Sequence, residues 1–143
     1  MTSTILINQM KLLPVGLMGT FAIFVIACSP LPSKKTISGT FKLIDSDISR
    51  SGRMCSGTGG YSDIQPGLKV IVKNERSKII GVSELEFDIY KGEHSSVVCE
   101  FPFTVENIPK AKFYTIEVGR RGSLTYPYED LEEQNWEVAF KLG

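Results

Sequence analysis

The sequence predicts a mainly β protein, an antiparallel β-sandwich of about six to seven strands with one short helix near residues 127–134. Three observations predict it. Several short runs alternate apolar and polar side chains, the period of a half-buried strand. Hairpin-type turn residues separate these runs at regular spacing, the habit of all-β sandwiches. Only one stretch has the residue types of a helix start. The 143 residues suit a single domain. With 16 basic and 16 acidic residues the formal net charge is zero. Such a balance leaves no electrostatic footprint for nucleic acid, and no nucleic-acid partner is expected. The apolar content is 42%, too high for a disordered chain.

The chain opens with an apolar run. Leu12 to Ala27 carry no charge, and the stretch FAIFVIACSP turns polar abruptly after Cys28. It reads as a membrane span, a first core strand or a removable address. The run is short of the roughly 20 residues a spanning helix needs and lies at the long end of a signal-peptide core. Pro14, Gly16 and Gly19 weaken it as a stable helix. Val25-Ile26-Ala27-Cys28 resembles the lipobox of bacterial lipoproteins, an aliphatic residue and a small residue before the modified cysteine. The resemblance implies cleavage before Cys28, a diacylglyceryl thioether on its sulfur and acylation of the freed amine. Residues 1–27 would then be a lipoprotein signal peptide, 28–36 a tether and 37–143 the sandwich. The implied partner is a membrane, held through lipid on Cys28, and the implied location is the extracytoplasmic face of the cell envelope. An uncleaved signal anchor and an ordinary signal-peptidase cut are the alternatives. The only basic residue before the apolar run is Lys11, so translation is expected to start at Met10.

The chain has three cysteines. With Cys28 lipidated, Cys55 and Cys99 remain. Export implies an oxidising compartment, where the simplest reading of a pair is a disulfide. Closing a loop of this size contributes about 4 kcal/mol by chain-entropy reasoning. Metal ligation and a catalytic thiol are the rivals. There is no CxxC, and His94 is the only histidine.

The elements follow in order. Ile37 to Ile44 forms a first strand with Phe41 and Leu43 on one face. Leu68, Val70 and Val72 alternate with Lys69, Ile71 and Lys73, and Asn74–Ser77 supply a turn. Lys78 to Tyr90 is long for one strand, with Leu85, Phe87 and Ile89 as an inward set, and is followed by a hairpin at Lys91–His94. Val97, Cys99, Phe101, Phe103 and Val105 face the core of the next strand. Pro102 cannot donate to a ladder, which puts that strand at an edge or turns its nitrogen outward. Tyr114, Ile116 and Val118 mark another strand. Pro127 and the acidic residues Glu129, Asp130, Glu132 and Glu133 suit the start of a helix over Pro127–Gln134. Trp136, Val138, Phe140 and Leu142 line the inner face of the last strand.

Candidate sites are few. Gly57-Thr58-Gly59-Gly60-Tyr61-Ser62-Asp63 is glycine-rich, but no Gly-Lys-Ser/Thr opens a helix after it, so it is not a P-loop. It reads as a tight loop, with Tyr61 and Asp63 available to a ligand. A disulfide at Cys55 would pin it to the core. Asp45 and Asp47, with Asp63, offer oxygens to Ca²⁺, but their spacing fails the EF-hand pattern, and a solvated turn is the plainer reading. His94 reads as an exposed loop residue, since no GxSxG accompanies it. Arg120-Arg121-Gly122 reads as a solvated turn that can meet anionic headgroups. Tyr126 and Tyr128 offer either a contact surface or core packing.

Gly67-Leu68-Lys69-Val70-Ile71-Val72 and Ile108-Pro109-Lys110-Ala111-Lys112-Phe113-Tyr114-Thr115-Ile116-Glu117-Val118 resemble the early and late strands of transthyretin-like or carboxypeptidase-regulatory-like sandwiches, across about residues 64–120. Such modules are accessory, scaffolding or ligand-binding. The expectation is a non-enzymatic envelope lipoprotein without cofactor or bound metal, whose module binds a protein or glycan partner. The alternative is a small-ligand or Ca²⁺-binding module; a hydrolase is a weaker third, since no nucleophile or paired-carboxylate motif is visible.

Overall fold

The computed structural model describes residues 33–52, 54–87 and 98–143. The signal segment, Cys28, the Lys91–His94 turn, Ile89 and His94 lie outside the described residues. Nine strands and one α-helix are present among the described residues. They are β1 (Lys35–Ile44), β2 (Ile48–Ser51), β3 (Met54–Gly57), β4 (Lys69–Asn74), β5 (Ile79–Glu84), β6 (Val98–Ile108), β7 (Phe113–Val118), β8 (Ser123–Pro127), α1 (Tyr128–Glu133) and β9 (Glu137–Leu142). They build a three-stranded sheet β6-β1-β9, a four-stranded sheet β5-β4-β7-β8 and a separate pair β2-β3.

The alternation seen in the sequence becomes the core. Phe41 and Leu43 of β1, Phe101 and Phe103 of β6 and Val138 and Phe140 of β9 face Val70, Val72, Tyr114, Ile116 and Val118 of the other sheet, all buried. Phe140 stacks on Phe41 with ring centroids 6.4 Å apart and tilts against Phe103 at 6.2 Å. Cross-strand aromatic contacts of this kind add to the burial term. Two glycines leave room for their neighbours, Gly39 within the smaller sheet and Gly81 between the two sheets. A methyl group on Gly39 would collide with the Phe103 ring and Val138, and one on Gly81 with Ile108 and Val105. On the outer face of the larger sheet, Lys73 pairs with Glu117 at 2.7 Å, and Lys69 pairs with Glu84.

Four expectations are corrected. The sandwich is not purely antiparallel: β9 runs parallel to β1, Ser38 beside Glu137 and Leu43 beside Leu142. β8 ends at the end where β1 starts, with Pro127 beside Phe113 and Ile108 beside Lys35, and α1 crosses there to the other sheet, so that Ser38 N–H donates to the Trp136 carbonyl at 3.0 Å. The strand count exceeds six to seven because β2 (ISRS), β3 (MCSG) and β8 (SLTYP) are short and poor in apolar alternation. Within Lys78–Tyr90, a stretch long for one strand, β5 covers Ile79–Glu84, and the expected inward set does not hold. Leu85 is buried, but Phe87 is 62% exposed rather than inward. Beyond Glu84 the chain leaves its sheet. Leu85 exchanges hydrogen bonds with Leu68 and Gly67, and Glu86 N–H reaches the Pro102 carbonyl of β6 at 2.8 Å, tying the two sheets together at one side. Pro102 itself sits on β6, an edge of its sheet, as its missing N–H requires. Finally, β1 begins at Lys35, two residues before the expected Ile37.

The helix keeps close to its expected bounds and ends in a hydrogen-bonding pattern absent from the sequence reading. Trp136 N–H donates to the Leu131 carbonyl at 2.7 Å, and Asn135 N–H to Glu132 at 3.1 Å. With Asn135 at φ 52° this is a Schellman motif, completed by buried Leu131 and Trp136 at its two hydrophobic positions. Beside it, Tyr114 near the start of β7 turns its hydroxyl back, accepting from Ala111 N–H at 2.8 Å and donating to the Pro109 carbonyl at 3.4 Å. That is the geometry of a tyrosine corner. Tyr114, Tyr128 and Trp136 form a ring cluster there, with edge-on contacts at 5.5 and 5.4 Å to the indole. Tyr126 and Tyr128 are thus half-buried packing residues at the end where β1 starts.

Candidate functional site at the loop end

The opposite end gathers most of the candidate residues singled out in the sequence. β1 ends at Ile44, and Asp45 begins a turn in which its carboxylate accepts from Asp47 N–H at 2.9 Å. This local Asx turn explains why Asp-Ser-Asp follows a strand so readily. Thr58 N–H then donates to the Asp47 carbonyl at 2.8 Å, seating the glycine-rich loop on that turn.

The loop is ordered by its own backbone. Gly57 N–H bonds to Ile64 and Ile64 N–H to Tyr61, each at 2.8 Å, around a single 3₁₀ turn at Gly59–Tyr61. Gly57 is required by close approach, because a methyl group there would strike the Tyr61 carbonyl. Gly59 adopts φ 53°, which favours glycine. Cys55 is bonded to Cys99 of β6, Cα to Cα 5.7 Å, with both residues buried.

Arg121 is the residue sequence reading misplaced. It lies in the β7–β8 turn and is partly exposed, but its side chain is engaged rather than free in solvent. Its guanidinium grips Asp63 through two hydrogen bonds, Nε to Oδ2 at 3.1 Å and Nη2 to Oδ1, and Nη2 also reaches the Gly60 carbonyl at 2.6 Å. It lies over the Tyr61 ring at 5.4 Å. A planar fork matched to a carboxylate and stacked on an aromatic face is a role for Arg and not for Lys. The hydrogen bond from Arg121 holds the Asp63 carboxyl below its ordinary pKa, and Asp63 raises that of Arg121 in return. No local signal marks this pair, since the partners lie 58 residues apart in sequence.

The candidate calcium oxygens therefore have other work. Asp63 is committed to Arg121 and Asp45 to its own turn, while Asp47 lies against Gly59. Among the described residues no three His, Cys, Asp or Glu side chains form a group that would hold a metal ion. Next to the loop, an open groove of about 910 Å³ runs along the end of β5, lined by Pro66, Gly67, Val82, Leu85 and Phe87, with Lys69 and Glu84 on its rim. Sequence reading missed it because Phe87 was assigned to the core. Among the described residues no helix is long and apolar enough to cross a membrane. No protein-family model, curated protein or solved structure matches the chain.

Proposed function

We propose that this chain is a membrane-tethered envelope lipoprotein whose β-sandwich is a non-enzymatic binding or scaffolding module. Lipid on Cys28 holds it at the extracytoplasmic face, and the loop end meets a protein or glycan partner. The observation that carries the reading is polarity along β1. The strand starts at Lys35, a few residues after Cys28, and ends at the loop end. Ten strand residues span roughly 33 Å. The Arg121-clasped loop thus lies at the far end of β1 from Lys35, where a partner in the envelope can reach it. Double or triple acylation at Cys28 gives stable anchoring, since each buried methylene contributes ~0.8 kcal/mol.

Intact mass of the protein extracted from membranes, with and without reduction, tests this. The expected species begins at acylated Cys28 and gains the hydrogens of one opened disulfide on reduction. A full-length chain with free thiols overturns the lipoprotein reading. A second reading, a small-ligand module, is favoured by the groove beside Phe87. It predicts that an apolar probe such as a naphthalene sulfonate binds the folded protein and that Phe87→Ser abolishes this. The Ca²⁺ form of that reading predicts a rise in Tm at millimolar Ca²⁺, and an unchanged Tm removes it.

A further inference from the structure

We infer that residues 47–64 form a unit that opens separately from the sandwich, and that the oxidation state of the Cys55–Cys99 bond decides whether it stays docked. Three observations carry this. First, among the described residues β2 and β3 pair with each other and join neither large sheet. A two-stranded hairpin is marginal in water by itself. Second, the backbone hydrogen bonds of this stretch among the described residues close on the stretch itself: Thr58 to Asp47, Tyr61 to Thr58, Gly57 to Ile64 and Ile64 to Tyr61. Third, among the described residues it is linked to the rest of the molecule through side chains: the disulfide, Arg50 Nη2 to the Val98 carbonyl, Arg121 to Asp63 and Gly60, buried Ile64, and Ile48 and Tyr61 packed against the core. The large sheets also meet directly, with Phe41, Phe103 and Phe140 of one and Val72, Tyr114 and Ile116 of the other in one buried core, and with the Glu86–Pro102 bond between them.

The chemistry is thiol–disulfide exchange with a dithiol. One reductant thiolate attacks a sulfur of the pair and forms a mixed disulfide, and the displaced cysteine leaves as a thiolate that takes up a proton. The second reductant thiol then releases the other cysteine, and the reductant departs as its own disulfide. Two electrons and two protons pass to the protein. Afterwards nothing covalent returns β3 to β6, and the hairpin and loop behave as a local opening unit. If the loop end meets a partner, as proposed above, reduction removes that surface. The unit's opening is independent of the lipid anchor, so the failure of either reading leaves the other standing.

Amide hydrogen exchange on the full folded protein tests it, oxidised and after dithiothreitol, with alkylation to count thiols. On reduction, exchange over 47–64 should accelerate ~100-fold or more, in line with the chain entropy the bond removes, while β1, β4, β6 and β7 change less than ~10-fold. The double variant Cys55→Ser/Cys99→Ser should show the reduced pattern without reductant. Loss of protection in all strands together overturns the inference, because the bond would then hold the whole fold. So does unchanged exchange over 47–64. A bond that resists millimolar dithiol unless denaturant is added also overturns it, since the unit would not open separately.

Discussion

At the scale of single residues, two side chains act far beyond their own turns. Tyr114 is fully buried, yet its hydroxyl spans the β6–β7 connection through Ala111 and Pro109. Tyr114→Phe should destabilise by about 1–2 kcal/mol in urea unfolding, because it leaves a backbone donor without its acceptor. Burial also raises the Tyr114 pKa. A raised folded-state value means stability is complete below the unfolded tyrosine pKa, roughly 10, and falls as pH rises through the folded one. The variant should flatten that alkaline loss. Asp63 behaves with opposite sign. Its depressed folded pKa, caused chiefly by the Arg121 hydrogen bond, makes the clasp effective above the unfolded carboxylate value near ~3.9 and lost as pH falls below it. The pair is partly exposed, at 23% and 43%, so Arg121→Ala should cost at most about 1 kcal/mol near neutrality, with the difference from wild type vanishing in strong acid.

At the scale of elements, what the sequence made legible follows alternation. β4, β6, β7 and β9 were readable because every second residue is large and apolar, and those positions are the buried ones. β2, β3 and β8 were not, because an edge or satellite strand has little to bury and so carries no such period. Phe87 shows the opposite error: period alone does not say where a strand leaves its sheet. Nor did any local pattern reveal that Arg121 closes on Asp63, whereas the glycine-rich loop, the Asp turn and the cysteine pair were all visible as types. Substitutions at two positions probe the elements. Gly39→Ala should destabilise by about 1–3 kcal/mol, since the methyl group has no room between Phe103 and Val138. At the helix end, Asn135→Val should lose about 1–2 kcal/mol by forcing a branched side chain into a left-handed backbone, while Asn135→Gly should be neutral or stabilising. Chemical denaturation of the two variants side by side separates backbone strain from lost contacts.

At the scale of the whole molecule, the two ends have divided tasks. One end joins the start of β1 to the return of β9, closing the first and last strands of the domain upon each other. The other carries a disulfide-held satellite, an Arg-clasped loop and an open groove. Pairing β1 with β9 is the most non-local pairing among the described strands, a topology that folds slowly because its loop-closure entropy must be met before contacts reward it.

The ring cluster at the first of these ends has an optical consequence. Trp136 is the chain's only tryptophan, 8% exposed and in edge contact with two tyrosines. Its emission should be blue-shifted and fed by energy transfer from Tyr114 and Tyr128 while β1 and β9 are joined, and should turn red when they part. The same fluorophore sits at the end away from the satellite hairpin, and so is blind to it. A fluorescence melt of this protein therefore reports its frame and stays silent while the loop end comes and goes.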